Sequence, residues 1–262
     1  MVNNLNPVLI DLGIIKIHWY SLAYIFGILI GWWYGRFLIK KKVRFIDQEN
    51  YIKNFDDLIS YIIIGVIIGG RLGYVIFYNP SYFIENPIQI FKLWEGGMSF
   101  HGGLIGVIVS TYIFSNLKKL NYKIYFDVIC CVAPIGIFLG RVANFINSEL
   151  YGRETDISWS VKFIQIDNLN RHPSQIYEAI FEGIFLFILL NLFHFKITKK
   201  NGLASSLFLI LYSLFRFFIE FTREPDTHIG LILFNMSMGQ IISVIFFIIG
   251  MILFYKNYVV EK

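Results

Sequence analysis

Charge is scarce in this sequence. Asp, Glu, Lys and Arg make up 16% of its 262 residues, where a soluble domain carries about 25%. With 56% hydrophobic residues and a mean hydropathy of +0.60, that scarcity excludes an ordinary soluble domain and identifies an integral membrane protein. Cysteine is nearly absent. The two present, Cys130 and Cys131, are adjacent in an apolar run, which excludes a disulfide framework and offers no metal spacing. There is no HExxH, no GxSxG elbow, no P-loop and no DxDG-type run. Neither a metal nor an acyl-serine mechanism therefore has motif support, and no cofactor is expected. Low-complexity segments and long linkers are also lacking, so residues 1–262 read as one integral membrane domain. Only Lys16 precedes the first apolar run, without a small-residue cleavage pattern, and no removable signal peptide is expected.

The most informative absence is that of lysine from the apolar stretches. All fifteen lysines fall in or beside polar loops, whereas Arg36, Arg71, Arg141 and Arg216 lie inside apolar runs. A cation at membrane depth costs roughly 2.5–3.5 kcal/mol on insertion scales, so such residues face the protein interior and have a partner. Guanidinium is weakly hydrated and grips phosphate with a two-pronged fork; ammonium does not. An arginine-only set points to a phosphate or other oxyanion held within the bilayer, or to helix pairing. Arg36, beside Lys40, Lys41 and Lys42 at a helix end, reads as a snorkelling residue. The net charge of +5 reports topology rather than nucleic-acid binding, because the lysines cluster in short loops.

A span needs about 20 apolar residues. Seven are expected, near 19–38, 58–78, 97–116, 125–145, 177–195, 203–221 and 237–255, all helical because lipid leaves an isolated span no other way to satisfy its backbone. One set of alternating loops holds Lys40, Lys41, Lys42, Arg44, Lys53, Lys118, Lys119, Lys123, Lys196, Lys199, Lys200, Lys256 and Lys262; the other holds Lys16, Lys92, Arg153, Lys162, Arg171 and Arg223. The bias puts the first set in the cytoplasm, the N-terminus outside, and the connection 146–176 outside as a small arm or lid. Gly27, Gly31 and Gly35 share one face of span 1, and Gly65, Gly69 and Gly73 one face of span 2, as helices that approach closely require. Arg71 lies off that face, positioned to enter a cavity.

Chemistry concentrates in three places. The run from Gly96 to Gly106 has five glycines around His101, which permits a turn, close backbone approach and anion-binding amides. His101 is either a proton acceptor near neutral pH or an interfacial histidine bonded to a carbonyl. At the end of span 4, Arg141, Asn144 and Asn147 step along one helical face toward Glu149, a polar strip that suits a lipid headgroup. On span 6, Tyr212, Arg216, Glu220 and Arg223 share a face, with Glu220 placed either to orient Arg216 or to form a structural ion pair. Pro225 is expected to end that helix, and Ser174 to cap the start of span 5.

These residues resemble the motifs of the prolipoprotein diacylglyceryl transferases. The run Gly140-Arg141-x-Ala143-Asn144-Phe145-x-Asn147-x-Glu149-x-x-Gly152 is similar to the family's hallmark. His101-Gly102-Gly103-Leu104, Arg171-His172-Pro173-Ser174-Gln175 and Arg216 through Arg223-Glu224-Pro225-Asp226 resemble its other motifs, in the same order. His18-Trp19-Tyr20 and Tyr24 resemble its first span. The connection after Gly152 is short beside that of larger members. The resemblance implies a seven-span enzyme of the bacterial cytoplasmic membrane. Such an enzyme moves the diacylglyceryl group of phosphatidylglycerol to the thiol of a lipobox cysteine in a secreted precursor, with thioether formation and loss of glycerol phosphate. On that basis Arg141 and Arg216 bind the phosphate, Asn144, Asn147 and Glu149 hold the headgroup, and Tyr24 and Arg71 line the cavity. Gly102, Gly103, Gly152 and Arg223 join the substrate site, Glu220 orients Arg216, and His101 assists thiol deprotonation or orients the headgroup. The resemblance does not settle which residue takes the thiol proton. The partners implied are phosphatidylglycerol, a lipobox peptide and membrane lipids, with no nucleic acid and no metal. The rival reading is a transporter of an organic anion or phospholipid, although no internal repeat is visible.

Overall fold

The computed structural model describes residues 1–13, 16–42, 48–78, 80–196, 200–225, 230, 232 and 235–260. Arg44, Lys199, Asp226 and Lys262, used above, lie outside the described residues. The seven expected spans are helical: α1 (Trp19–Lys42), α2 (Gln48–Phe77), α3 (Pro80–Glu85), α4 (Phe100–Leu117), α5 (Tyr122–Ile146), α6 (Ser174–Glu178), α7 (Leu186–Lys196), α8 (Leu203–Ile219) and α9 (Met238–Tyr255), with α6 and α7 sharing the fifth span and α3 in addition. A π-helical turn, Ala179–Phe185, joins α6 to α7 without a break. Six segments are long and apolar enough to cross a membrane, and α8 is a shorter apolar helix. The chain is an all-α, multi-pass membrane protein. Its large apolar side chains point outward along the helices, as at Ile64, Ile76, Ile248 and Ile252, where acyl chains replace water as the solvent.

Three boundaries differ from expectation. Helix α2 starts at Gln48 rather than near residue 58, because polar residues continue a helix beyond the hydrocarbon layer at no cost once it is nucleated. Helix α8 stops at Ile219, well before Pro225; the Thr222 hydroxyl donates to the Ile219 carbonyl (2.8 Å), and Arg223 leaves in an extended bridge with Gly152. Ser174 does not cap α6. Pro173 occupies that position, and the Ser174 hydroxyl donates to the Leu150 carbonyl instead (2.9 Å).

The chain divides into two compact units. The first comprises Met1–Leu38 and Asp127–Lys262. Its membrane part packs α8 on α9, and Gly250 brings α9 against Leu209 and Ile210. Asp127 is buried and accepts from the amides of Gly202 (2.7 Å) and Ser205 (2.8 Å). It supplies the side-chain cap that Gly202, at φ +86°, cannot. The connection expected as an arm is a small sheet: β1 (Val2–Asn3) runs parallel to β4 (Val161–Phe163), which pairs antiparallel with β5 (Asn170–Arg171). A separate hairpin joins β2 (Val8–Asp11) to β3 (Lys16–His18).

The second unit, Ile39–Phe126, is built on the α2–α4 pair. Gly65, Gly69 and Gly73 meet Gly102 and Gly106 backbone to backbone, so a Cβ on Gly106 collides with the Gly65 carbonyl. This is the close approach that small residues at four-residue spacing allow. Phe55, Leu58, Phe114 and Tyr125 form its core, with Tyr61 edge-on to Phe114 (4.9 Å between centroids).

Candidate active site

The first unit gathers buried charge around α6. Glu178 and Glu182 are each 0% exposed. Placed four apart, they project to one side, where Arg141 of α5 and Arg216 of α8 close on them. Glu178 Oε2 lies 2.6 Å from Arg141 Nε and 3.0 Å from Arg216 Nη1. Its other oxygen is 4.0 Å from Arg223 Nη1. Glu182 is 3.4 Å from Arg216 and 3.8 Å from Arg141. Glu220 Oε2 sits 3.1 Å from Arg216 Nη2, and its other oxygen accepts from the Ser237 hydroxyl (3.0 Å) at the start of α9. Gly239 makes room for that carboxylate, because a Cβ there falls 2.7 Å from Glu220 Oε1. Arg141, Arg216 and Arg223 thus meet Glu178, Glu182 and Glu220, a balanced set, as ions taken out of water require. The expected orientation of Arg216 by Glu220 has its geometry here.

Hydrogen-bond alignment within these ion pairs is partial: Arg216 Nη1 donates to Glu182 Oε1 (3.4 Å). Neither oxygen of Glu178, nor Oε2 of Glu182 or Glu220, accepts an aligned hydrogen bond among the described residues.

The polar strip of α5 continues the cluster. Arg141 Nη1 donates to Asn144 Oδ1 (3.4 Å). The Asn144 amide donates to Tyr20 Oη (3.2 Å) and Glu149 Oε2 (3.1 Å), and the Asn147 amide to Glu149 Oε1 (3.4 Å). Glu149 is therefore the hub for both asparagines, and Gln175 fixes its backbone by donating to the Glu149 carbonyl (2.6 Å). Tyr24 is exposed beside this strip, its ring 5.4 Å from that of Tyr20. Next to the cluster, Tyr177, Phe181, Leu214, Phe215, Phe218 and Ile219 line an apolar cavity of about 400 Å³.

Gly152 holds the arm to this unit. Its amide donates to the His172 carbonyl (3.0 Å), and an added Cβ would lie 2.7 Å from the Thr222 carbonyl. Arg171 pairs with Asp167 (2.6 Å) and Glu224 (3.4 Å), stacks on Tyr151 and donates to the Gly152 carbonyl (3.1 Å). Hydrogen bonding to Arg171 holds the Asp167 carboxyl below its usual range. Partial burial pushes the His172 imidazole down; its Nδ1 lies 3.3 Å from Tyr177 Oη.

The second unit contains the other expected residues. His101 lies in the first turn of α4 rather than in a turn before it, is exposed, and packs edge-on to Phe100 (5.5 Å). Ser99 caps α4 by accepting from the Gly102 amide (3.3 Å), and Gly102 packs on Gly69 and Gly73. The positive-φ turn is made by Gly96 and Gly97. Arg71 is buried, and its guanidinium donates to the carbonyls of Gln89 (2.6 Å), Ile90 (2.8 Å), Lys92 (3.2 Å), Gly96 and Gly97 (3.1 Å). Its N–H groups are occupied by the loop it holds, which is a different use from the cavity lining expected of it.

Sequence reading found Arg141, Arg216, Glu220 and the asparagine strip but missed the carboxylates at their centre. The available signal was two acidic residues four apart in an otherwise apolar run, Glu178 and Glu182. Among the described residues, no group of three or more His, Cys, Asp or Glu is arranged to hold a metal ion.

Comparison with known proteins agrees with the motif resemblance. A family model described as prolipoprotein diacylglyceryl transferase matches residues 7–256. A Rickettsia felis protein named phosphatidylglycerol–prolipoprotein diacylglyceryl transferase is 51% identical over 249 residues, 94% of this chain and 95% of that protein. Proteins of the same name from Rickettsia bellii (50% over 256 residues, 97% and 96%) and Rickettsia typhi (50% over 249 residues, 94% and 95%) are similar throughout. The chain belongs to the prolipoprotein diacylglyceryl transferase family.

Proposed function

We propose that this chain transfers the diacylglyceryl group of phosphatidylglycerol to the thiol of a lipobox cysteine in a prolipoprotein, the first step of lipoprotein maturation. The support is a family match over nearly the whole chain, joined to a buried arginine cluster suited to a phosphodiester. In this reading both units serve one integral membrane domain of the bacterial cytoplasmic membrane. Its N-terminus faces outside, on the lysine distribution. The 146–176 connection lies outside as an arm.

The reaction is a displacement at an sp³ carbon. The cysteine sulfur bonds to the terminal glycerol carbon of the diacylglyceryl group, the bond from that carbon to the phosphate oxygen breaks, and glycerol phosphate leaves with the bonding pair. A thiol is a poor nucleophile at its free pKa of about 8.5, so its proton must be taken up. His101, exposed at the start of α4, is assigned either to assist that step or to orient the headgroup. Arg141 and Arg216 hold the phosphate and stabilise the charge that develops on the departing oxygen. Glu220 orients Arg216, and Arg223 adds to the field. Asn144, Asn147 and Glu149 hold the glycerol headgroup, with Tyr24 beside them. The cavity lined by Phe181 and Phe215 takes an acyl chain. Arg71 contributes by holding the 86–97 loop, Gly102 and Gly103 by letting α4 approach α2, and Gly152 by seating the arm.

The test uses purified protein in detergent with phosphatidylglycerol and a lipobox peptide bearing a free cysteine. The expected result is a diacylglyceryl mass gain on the peptide with equimolar glycerol phosphate, absent for the Cys→Ser peptide. Glycerol phosphate without modified peptide overturns the assignment in favour of a lipid hydrolase. Absence of turnover, with anion binding still dependent on Arg141 and Arg216, overturns it in favour of a transporter.

A further inference from the structure

We infer that Glu178 is a positioning residue that sets the spacing of Arg141 and Arg216 for a phosphodiester. The inference rests on the transferase reading and deepens it. One carboxylate oxygen stands within 2.6 Å of Arg141 Nε and 3.0 Å of Arg216 Nη1, and the other is 4.0 Å from Arg223 Nη1. Three cations from the end of α5, from α8 and from the segment after it thereby converge on a single fully buried anion. Without that anion, mutual repulsion drives the guanidiniums apart in a medium that screens charge poorly. Glu182 and Glu220 do not substitute for it. Glu182 makes one aligned contact, with Arg216, and reaches Arg141 only at 3.8 Å; Glu220 reaches Arg216 and is tied to Ser237.

A second observation separates this role from that of an ordinary structural ion pair. Buried carboxylate oxygens normally accept aligned hydrogen bonds. Neither oxygen of Glu178 does so among the described residues, although both are surrounded by cations. The carboxylate therefore acts through charge. It fixes where the guanidiniums of Arg141 and Arg216 lie. Both arginine side chains keep some accessible surface, 17% and 12%, whereas Glu178 has none. An entering phosphate meets the cations and does not touch the anion behind them. The local backbone fits this arrangement. Glu178 ends α6 where the π-helical turn Ala179–Phe185 begins, a distortion that re-aims side chains and is frequent at functional sites.

The test is steady-state turnover of phosphatidylglycerol and lipobox peptide by wild type, Glu178→Gln and Glu178→Asp. Thermal unfolding in detergent is recorded in parallel, together with calorimetric binding of glycerol phosphate. In Glu178→Gln, kcat is expected to fall about 30-fold or more while KM for the lipid moves less than about threefold, the pattern of an interaction needed in the transition state rather than for binding. Glu178→Asp keeps the charge and withdraws it by one methylene, and is expected to lie between the two. If Glu178→Gln folds and keeps both constants within about threefold of wild type, the positioning role is overturned. If Glu178→Gln does not fold, the Asp variant decides: full rate overturns the role and a kcat-selective loss supports it. Should wild type itself form no thioether, the transferase reading fails separately. The positioning role is then read from glycerol phosphate, which unlike the lipid carries the charge that develops on the departing oxygen; its binding is expected to weaken about tenfold in Glu178→Gln and, if unchanged, overturns the role.

Discussion

Arg71 and Arg216 are both buried guanidiniums, and their partners are of opposite kinds. Arg71 is surrounded by backbone carbonyls, with donors from all three of its nitrogens aligned on acceptors of one loop. Arg216 is surrounded by the carboxylates of Glu178, Glu182 and Glu220, with little hydrogen-bond alignment. Carbonyl dipoles take N–H bonds and leave the positive charge uncancelled; carboxylates cancel the charge as well. The first arrangement fixes a chain segment in place. The second gathers three cations into one buried cluster, the one we propose meets the phosphate. The contrast teaches that burial alone does not define an arginine's role: the chemistry of its partners does, and it makes different predictions for the two.

The sharpest way to break that contrast is to change the shape of the head group and keep its charge. Arg216→Lys retains a cation but loses the planar fork. It is expected to lower kcat by about 10²–10³-fold, equivalent to about 2.7–4 kcal/mol, as when one preorganised donor to a developing oxyanion is removed. The peptide-modification assay measures it, and near-normal turnover sinks the fork argument. Arg71 should respond differently. Arg71→Met removes the donor to five carbonyls, and an unsatisfied buried carbonyl costs about 1–3 kcal/mol. With partial relaxation of the loop, about 3 kcal/mol of stability is expected to be lost, seen as a lower thermal midpoint, while the folded fraction keeps kcat/KM within about threefold. A selective loss of kcat with no loss of stability would return Arg71 to the substrate site.

His101 sharpens the comparison from the second unit, because it is exposed and makes no hydrogen bond or ion pair among the described residues. If it is the base for the thiol, its replacement in His101→Gln is expected to cost about 10²-fold in kcat, the low end for general acid–base catalysis. The loss should shrink as pH rises toward the thiol's own pKa of about 8.5, where the thiolate forms unaided. Full rate at pH 7 removes the base assignment and leaves His101 as an interfacial residue beside Phe100.

Much of this was legible in the sequence, for identifiable reasons. An arginine in an apolar run has few physical options, so Arg141 and Arg216 announce a polar interior, and twenty-residue apolar runs announce helices. Asn144 and Asn147 were legible because helical spacing put them on the face of Arg141, and Glu149 because it follows them directly. Glu178 and Glu182 carry the same kind of signal, but a search for an oxyanion site looks for cations and passes over the anions that hold them. The packing of Gly102 was not legible for another reason. Its contact with Gly69 and Gly73 joins two helices, and no local pattern says which glycine face meets which. The sheet was illegible because two- and three-residue strands have no period, and the pairing of Val2 with Lys162 spans most of the chain.

The smallest effect lies outside the membrane-spanning segments, where the comparison extends to a group held by neither carbonyls nor carboxylates. His172 is pushed below the ordinary imidazole range by burial. The folded state therefore binds its proton less readily than the unfolded state, whose imidazole titrates near pH 6.5. As pH falls through about 6.5 the unfolded chain takes up the proton first, and stability declines. Asp167 has the same sign but a lower window. Its carboxyl is held down by Arg171, so its contribution is present above the unfolded value of about 3.9 and is lost only as pH falls below that. Between pH 7 and pH 5 Asp167 is ionised when folded, and the difference in thermal midpoint between wild type and His172→Gln isolates the histidine. Wild type is expected to lose up to about 2 °C more than the variant over that interval. An equal loss in both would mean that the Nδ1 contact with Tyr177 Oη stabilises the protonated ring as well as it does the neutral one.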